Sequence, residues 1–216
     1  MAEQEGVIKF QLDFCQQAVL QAADVQEISS WRTIMCQLGM LGQTPQRYDN
    51  YGFGNISQRF GAQNQFIISG TQTGGIVQMR AADYALVSRC QPEHNHIVAV
   101  GETKPSSEAM THGQLYQLSA GINFVIHAHC PQIWQLASTL QLAQTWAEVP
   151  YGTVAMADEV ARLFCQTDVL TRGLFTMAGH EDGVVAFGQS AQQAAERALQ
   201  QQLANLDAEL QAAMVV

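Results

Sequence analysis

In "VIKFQLDF" the apolar residues Ile8, Phe10, Leu12 and Phe14 alternate with polar neighbours, a period of two that predicts a half-buried strand near the N-terminus. The period then lengthens. In "DVQEISSWRTIMCQLGMLG", Ile28, Trp31, Met35 and Leu38 recur at helical intervals, with Asp24 and Glu27 in the positions of a capping box and Gly42 available to end the helix. From Gly52 the apolar runs shorten to "GFGNISQRF", "QFIISGT", "DYALVSRC" and "HIVAVG", separated by Gly, Asn and Pro as in an antiparallel meander.

Pro105 introduces "SSEAMTHGQLYQLSAG", whose Ser-Ser-Glu start and later glycine predict a helix. A strand, "NFVIHAHC", follows, then a helix opened by Pro131 over "PQIWQLASTL" and another over about 153–166. Two strands, "LFTMAG" and "GVVAFG", precede an Ala/Gln/Leu-rich helix from about Ser190 to near the end. Strands and helices mix without regular βαβ alternation, which predicts an α/β fold layered on a mostly antiparallel central sheet and not a Rossmann-type sheet. Neither an internal repeat nor a linker is visible, and 216 residues suit a single domain, 1–216, with 1–23 read as an N-terminal extension carrying the first strand.

Composition narrows the function classes. The formal charge of -9 and the lack of any basic run oppose binding to nucleic acid or to an anionic membrane surface. No stretch has the length of apolar residues that a membrane span needs, and "MAEQEGVIKF" lacks the zones of a signal peptide, so a soluble, cytoplasmic protein is expected. The five cysteines (Cys15, Cys36, Cys90, Cys130 and Cys165) show no CxxC spacing, which fits reduced thiols and leaves His, Asp and Glu as the donors for any metal. An anionic ligand would need a metal, backbone N–H groups, or single cations such as Arg59 and Lys104.

Residues i and i+2 of a strand share a face, so His127 and His129 project together while Ala128 turns into the opposite layer. The spacing admits two readings: half of a metal site, or two rings hydrogen-bonded at a strand end. A second such pair, His94 and His96 in "PEHNHIV", sits where Pro92 and Asn95 predict a turn, and is read as solvated. His112 lies inside the Ser-Ser-Glu helix and is read as a packing or solvent-facing group; His180, after a strand and before a turn, can re-enter a cleft. A helix beginning at Ser106 and Ser107 would offer hydroxyls and unpaired N–H groups to an oxyanion, with Glu108 in its first turn. There, the ordinary role of a glutamate is to complement the helix macrodipole.

Taken in order, "GNIS" (Gly54 to Ser57), "ISGT" (Ile68 to Thr71), "KPSSE" (Lys104 to Glu108), "HAH" (His127 to His129) and the late His180 resemble the landmarks of the class II aldolase/adducin family, from about Trp31 to Leu210. The resemblance implies a layered α/β/α sandwich. It further implies that His127, His129 and His180 hold Zn2+ or another divalent ion, that Glu108 is the acid/base, and that Gly54, Asn55, Ser69, Gly70, Ser106 and Ser107 contact a phosphate. The implied activity is a metal-dependent aldolase that cleaves a small ketose phosphate or related hydroxy-carbonyl compound through a metal-stabilised enediolate, in a homo-oligomer, commonly a tetramer.

The same family contains sugar-phosphate epimerases and dehydratases as well as non-catalytic adducin-like assembly domains. Epimerases typically carry aspartate where this chain has Glu108, and adducin domains lack the ligands that His127 and His129 supply. Two departures from the aldolase pattern stand out. Glu181 and Asp182 follow the late histidine where less charged residues are expected, and no loop clearly corresponds to the one that carries a catalytic tyrosine, Tyr151 being merely nearby.

Overall fold

Residues 7–201 are described by a computed structural model. Along the chain run β1 (Gln11–Gln16), α1 (Gln26–Gln37), β2 (Gly42–Gln43), β3 (Gly52–Phe53), β4 (Asn55–Arg59), β5 (Phe66–Ser69), β6 (Tyr84–Gln91) and β7 (His96–Gly101). The second half adds α2 (Ala109–Leu118), β8 (Phe124–His129), α3 (Pro131–Gln135), β9 (Ala143–Gln144), α4 (Val154–Gln166), α5 (Val169–Arg172), β10 (Leu174–Thr176) and β11 (Gly183–Gly188). A last helix, α6, covers 191–201; the rest of the predicted C-terminal helix lies outside the described residues.

Nine strands pair in the order β1-β7-β6-β5-β4-β8-β11-β10-β9. The outermost pairings, β1 with β7 and β9 with β10, are parallel, and those between them are antiparallel. This is the mixed α/β, mostly antiparallel architecture that the sequence predicts. Strands β2 and β3 form a separate small ribbon.

Each face of the sheet carries its own core, and the pleat divides the side chains between them. Phe66 and Ile68 of β5, Val125 of β8, and Val185 and Phe187 of β11 pack with α2 and α4. Ile67, Phe124, Ile126, Ala128, Val184 and Ala186 turn the other way, against α1, α3 and the small-residue face of α6 (Ala191, Ala194, Ala195 and Ala198). Strand β8 lies inside the sheet and is buried on both faces along its whole length. Its odd-numbered residues therefore face α2, and His127 and His129 are among them.

Several local expectations shift. Asp24 and Glu27 form no capping box: the N-cap of α1 is Val25, without a side-chain cap, and Asp24 accepts instead from the Gln21 amide at 2.8 Å. The helix stops at Gln37 because Gly39 takes a left-handed conformation (φ 69°), three residues before Gly42, which is in β2. Helix α2 begins at Ala109, not at the serines, and Glu108 is its N-cap residue. The helix after Pro131 ends at Gln135, and the two-residue strand β9 follows it unpredicted. By contrast α4 starts and ends where expected, capped by Thr153, whose hydroxyl accepts from the Met156 amide at 3.2 Å.

The N-terminal strand extends the sheet at its β7 edge, with Gln11 opposite His96 and Gln16 opposite Gly101. Phe10 enters the core beside α2 and α4, and Ile8, Leu12 and Phe14 pack against it. At the β6–β7 turn His94 is exposed, while His96 contacts Asp13 at 2.9 Å. His94 fits the solvated turn reading, whereas His96 begins β7, with 23% of its side chain exposed and Asp13 as its partner.

Candidate metal centre and cleft

Antiparallel register sets the neighbours of the two β8 histidines. Opposite His127 stand Asn55 on one side and Val185 on the other; opposite His129 stands Gly183. The absence of a side chain at Gly183 is required, because a Cβ there would come within 2.7 Å of the His180 ring. The turn between β10 and β11 thus folds His180 back over the strand pair. Gly54 has a similar role on the far side: it is left-handed (φ 69°), and a Cβ would meet the His127 carbonyl oxygen at 2.8 Å.

The three imidazoles form one buried group, His127 at 0%, His129 at 1% and His180 at 4% exposure. One ligand-capable atom from each lies within 4.8 Å of the others, and His129 Nε2 is 3.1 Å from His180 Nε2. His127 and His129 stack at 5.0 Å between ring centroids, and His180 stands edge-on to both. Glu108, itself 3% exposed, completes the group from the N-terminus of α2: its Oε1 is 2.5 Å from His127 Nδ1 and 3.8 Å from His180 Nε2.

Charge states follow from burial. Burial pushes the His129 ring well below the ordinary histidine range, and neighbouring His127, His180 and Arg47 push it further the same way. His180 falls to about 4, again chiefly by burial, with Glu108 opposing. Both rings are therefore neutral at ordinary pH, the form that ligates a metal. For Glu108, burial favours the acid, but the charge and hydrogen bond of His127, aided by His180 and His112, outweigh it and bring the carboxyl to about 2. The carboxylate is held ionised. A divalent ion fits this donor set: it is made of buried nitrogen donors, His127 Nε2 has no hydrogen-bond partner, and neither does Glu108 Oε2.

Beside this group opens a cleft lined by Gly52, Gly54, Asn55, Gly70 to Gly74, Ser106, Ser107 and Glu108. Five of the six residues singled out for phosphate contact line it. The sixth, Ser69, lies behind the wall, where its hydroxyl accepts from the Ile56 amide at 3.2 Å. Many wall amides are already engaged: Gly70 N–H donates to Asp83 O, Thr71 N–H to Lys104 O, and Ser106 N–H to Ser69 O. Because Ser106 pairs with Ser69 of β5 and Ser107 lies in the turn ahead of α2, the cleft offers side-chain donors more than a helix N-terminus. Arg59 is also redirected. Its guanidinium bonds the carbonyls of Tyr116, Ser119 and Ile122 at the end of α2, away from any ligand.

Of three further contributors, Arg32 escaped the sequence reading, which took His112 as a packing or solvent-facing group and Tyr151 as merely nearby. Arg32, on α1 and 3% exposed, donates to the carbonyls of Thr73 and Ile76 and so holds the glycine-rich cleft wall in place. His112 is wholly buried, its Nδ1 2.7 Å from Ser57 Oγ, which is 2.7 Å from Tyr116 Oη. Burial takes its pKa down to about 3. Its spacing of four from Glu108 on one helix face was the available signal. Tyr151 is buried with its ring 4.7 Å from His180 and Lys9 Nζ 3.7 Å above it, so the segment ahead of β1 reaches the back of the centre.

Arg32→Met removes the guanidinium that ties the carbonyls of Thr73 and Ile76 to α1, and each hydrogen bond lost from a charged donor costs roughly 1.5–3 kcal/mol. We expect a melting temperature lower by several degrees, read by calorimetry. An unchanged transition would show that the wall does not depend on this side chain.

A mostly antiparallel sheet between helical layers, with three histidines and a glutamate buried where the end of β8, the β10–β11 turn and the start of α2 meet, defines a protein with a candidate divalent-metal site beside a polar cleft. Residues 43–204 match the family described as the Class II Aldolase and Adducin N-terminal domain, and the chain belongs to that family. Among solved structures, an L-fuculose 1-phosphate aldolase superposes with a TM-score of 0.63 at 17% identity, covering 90% of each chain. A sugar-phosphate aldolase from Thermotoga maritima gives 0.61 at 16%, covering 84% of this chain and 91% of its own. The L-fuculose-1-phosphate aldolase of Thermus thermophilus gives 0.58 at 15%, covering 88% and 92%. At these identities the likeness is one of fold. No curated protein matches the sequence significantly. Among the described residues, no helix is long and apolar enough to cross a membrane.

Proposed function

We propose that this chain is a divalent-metal-dependent aldolase acting on a small hydroxy-carbonyl compound, with a ketose phosphate as its substrate class. The observation that carries the reading is the gathering of three buried imidazoles about one buried, ionised carboxylate, Glu108, which itself lines the polar cleft. His127, His129 and His180 would hold the ion, zinc being the metal that suits three neutral imidazoles and an open position. When bound, a divalent ion supplies Lewis acidity toward the oxygens of a carbonyl substrate.

The chain's own residues supply the rest. Glu108, held ionised beside His127 and His180, takes the proton from the hydroxyl that becomes the released aldehyde as the carbon–carbon bond breaks, and delivers it to the carbon next to the remaining carbonyl, which receives the bond's electron pair. Burial acts on the carboxyl in the opposite sense to its contacts with His127, His180 and His112, so weakening those contacts raises its basicity. Asn55, Ser106 and Ser107 present polar side chains to the cleft, where they would orient the anionic end of the substrate, while Gly54 and Gly70 let backbone approach it. We further propose a homo-oligomeric, cytoplasmic enzyme, on the family resemblance.

The test is the metal content per chain, by plasma mass spectrometry, of wild type beside His127→Ala and His180→Ala, followed by a screen of ketose phosphates for carbonyl-releasing cleavage. The expected result is about one divalent ion per wild-type chain and none in either variant. A wild-type chain that stays empty after zinc is added back overturns the reading in favour of a non-catalytic member of the fold.

A further inference from the structure

A ligating histidine ordinarily donates its second ring nitrogen to a carboxylate, carbonyl or water, which fixes the ring. His127 has such a neighbour in Glu108; His129 does not, since its Nδ1 is buried without a hydrogen-bond partner. What surrounds His129 is aromatic. The Tyr48 ring meets it edge-on, with centroids 4.7 Å apart, and Phe53 lies 5.6 Å away.

Tyr48 is in turn fastened from two directions. Its hydroxyl donates to Asp182 Oδ2 at 2.5 Å and accepts from Arg47 Nη2 at 2.7 Å. The Arg47 guanidinium also bonds Gly39 O at 2.7 Å and the His129 carbonyl at 3.3 Å, and it covers the Phe53 ring at 4.4 Å. Asp182 lies two residues after His180, and its own carbonyl accepts from the Cys130 amide, the residue after His129. One network therefore joins the loop before β3, the end of β8 and the turn that carries His180. Its backbone is strained to do so: Tyr48, Asp49 and Asn50 are consecutively left-handed, at φ 50°, 52° and 63°. Such conformations cost on the order of 1 kcal/mol each and persist where the surroundings over-determine them.

We propose that Arg47, Tyr48 and Asp182 form a clamp that positions His129 and His180 for metal binding, the Tyr48 ring giving His129 by packing the orientation that a hydrogen bond gives elsewhere. The proposal rests on the metal-site reading above. It also gives Asp182, out of place in the aldolase pattern, a specific job: its carboxylate faces Tyr48 and Arg47 and is not a ligand candidate.

The experiment measures dissociation constants for Zn2+ by chelator competition and the visible spectrum of the Co2+-loaded protein. The proteins compared are wild type, Tyr48→Ala, Tyr48→Phe, Asp182→Asn and the Tyr48→Phe/Asp182→Asn pair. Leu174→Ala, a core truncation on the other face of the sheet, serves as the control for general destabilisation. Tyr48→Ala should weaken Zn2+ binding about 10- to 100-fold and change the Co2+ bands. Tyr48→Phe, which breaks the hydrogen bond to Asp182, should weaken it several-fold; Asp182→Asn, whose amide oxygen can still accept that bond without the carboxylate's charge, should weaken it less, and the pair no more than Tyr48→Phe alone. The Leu174→Ala control should melt earlier with affinity and spectrum unchanged. A Tyr48→Ala protein that binds Zn2+ as tightly as wild type, with the same Co2+ spectrum, overturns the clamp and leaves the metal site standing. A wild type that binds neither ion overturns both.

Discussion

Glu108→Gln is expected to bind its divalent ion as wild type does and to turn over substrate roughly 10²- to 10⁴-fold more slowly, the usual contribution of a positioned acid or base. The side chain is nearly isosteric and the site is closed around it, so the shape of the centre is preserved while its proton-accepting oxygen is lost. Glu108 Oε1 lies 2.5 Å from His127 Nδ1, where an amide oxygen can still accept a hydrogen bond, and the imidazole keeps a neighbour. The measurement is kcat beside metal content in the same preparation. Undiminished cleavage of a substrate that wild type accepts would remove Glu108 from the role of proton carrier. Loss of metal together with rate would instead make it chiefly a holder of His127.

The second large effect is expected from His129→Ala. This ring is 1% exposed and stands between His127, His180 and Tyr48, with 3.1 Å from its Nε2 to that of His180. Its removal takes away one of three nitrogen donors, and stoichiometric metal is expected to be lost on dialysis. The fold should survive, because His129 is the last residue of β8 and belongs to neither apolar core of the sheet. Plasma mass spectrometry and circular dichroism together decide the outcome. A folded variant that retains one ion per chain would show that His129 is not a ligand.

Much of the fold and of this site was legible in the residues. The alternation of Phe10, Leu12 and Phe14 announced β1, and the helical pattern over about 153–166 announced α4 almost to the residue. Where local signals were ambiguous they misplaced boundaries. Asp24 and Glu27 have the composition of a capping box, yet the chain there takes another N-cap, since a side chain can satisfy a turn amide as readily as a helix amide. Ser106 and Ser107 looked like a helix start, but pairing beside β5 claims the Ser106 amide and delays α2 to Ala109. Arg59, a cation beside the "GNIS" motif, was drawn to three free carbonyls at the end of α2, a partner that lies about 60 residues further along the chain.

By itself the sequence determined the period of each element, the sharing of one strand face by His127 and His129, and the ordered set of landmarks that places the chain in its family. These depend on neighbours within a few positions or on order along the chain, and both can be read from a string of residues. Tertiary structure alone decided that His180 folds back onto the pair over a glycine and that Glu108 points at His127. It alone placed Arg47, Tyr48 and Asp182 around a histidine without a hydrogen-bonded second nitrogen. Those contacts join residues separated by tens of positions, through strand register and packing that no local pattern encodes.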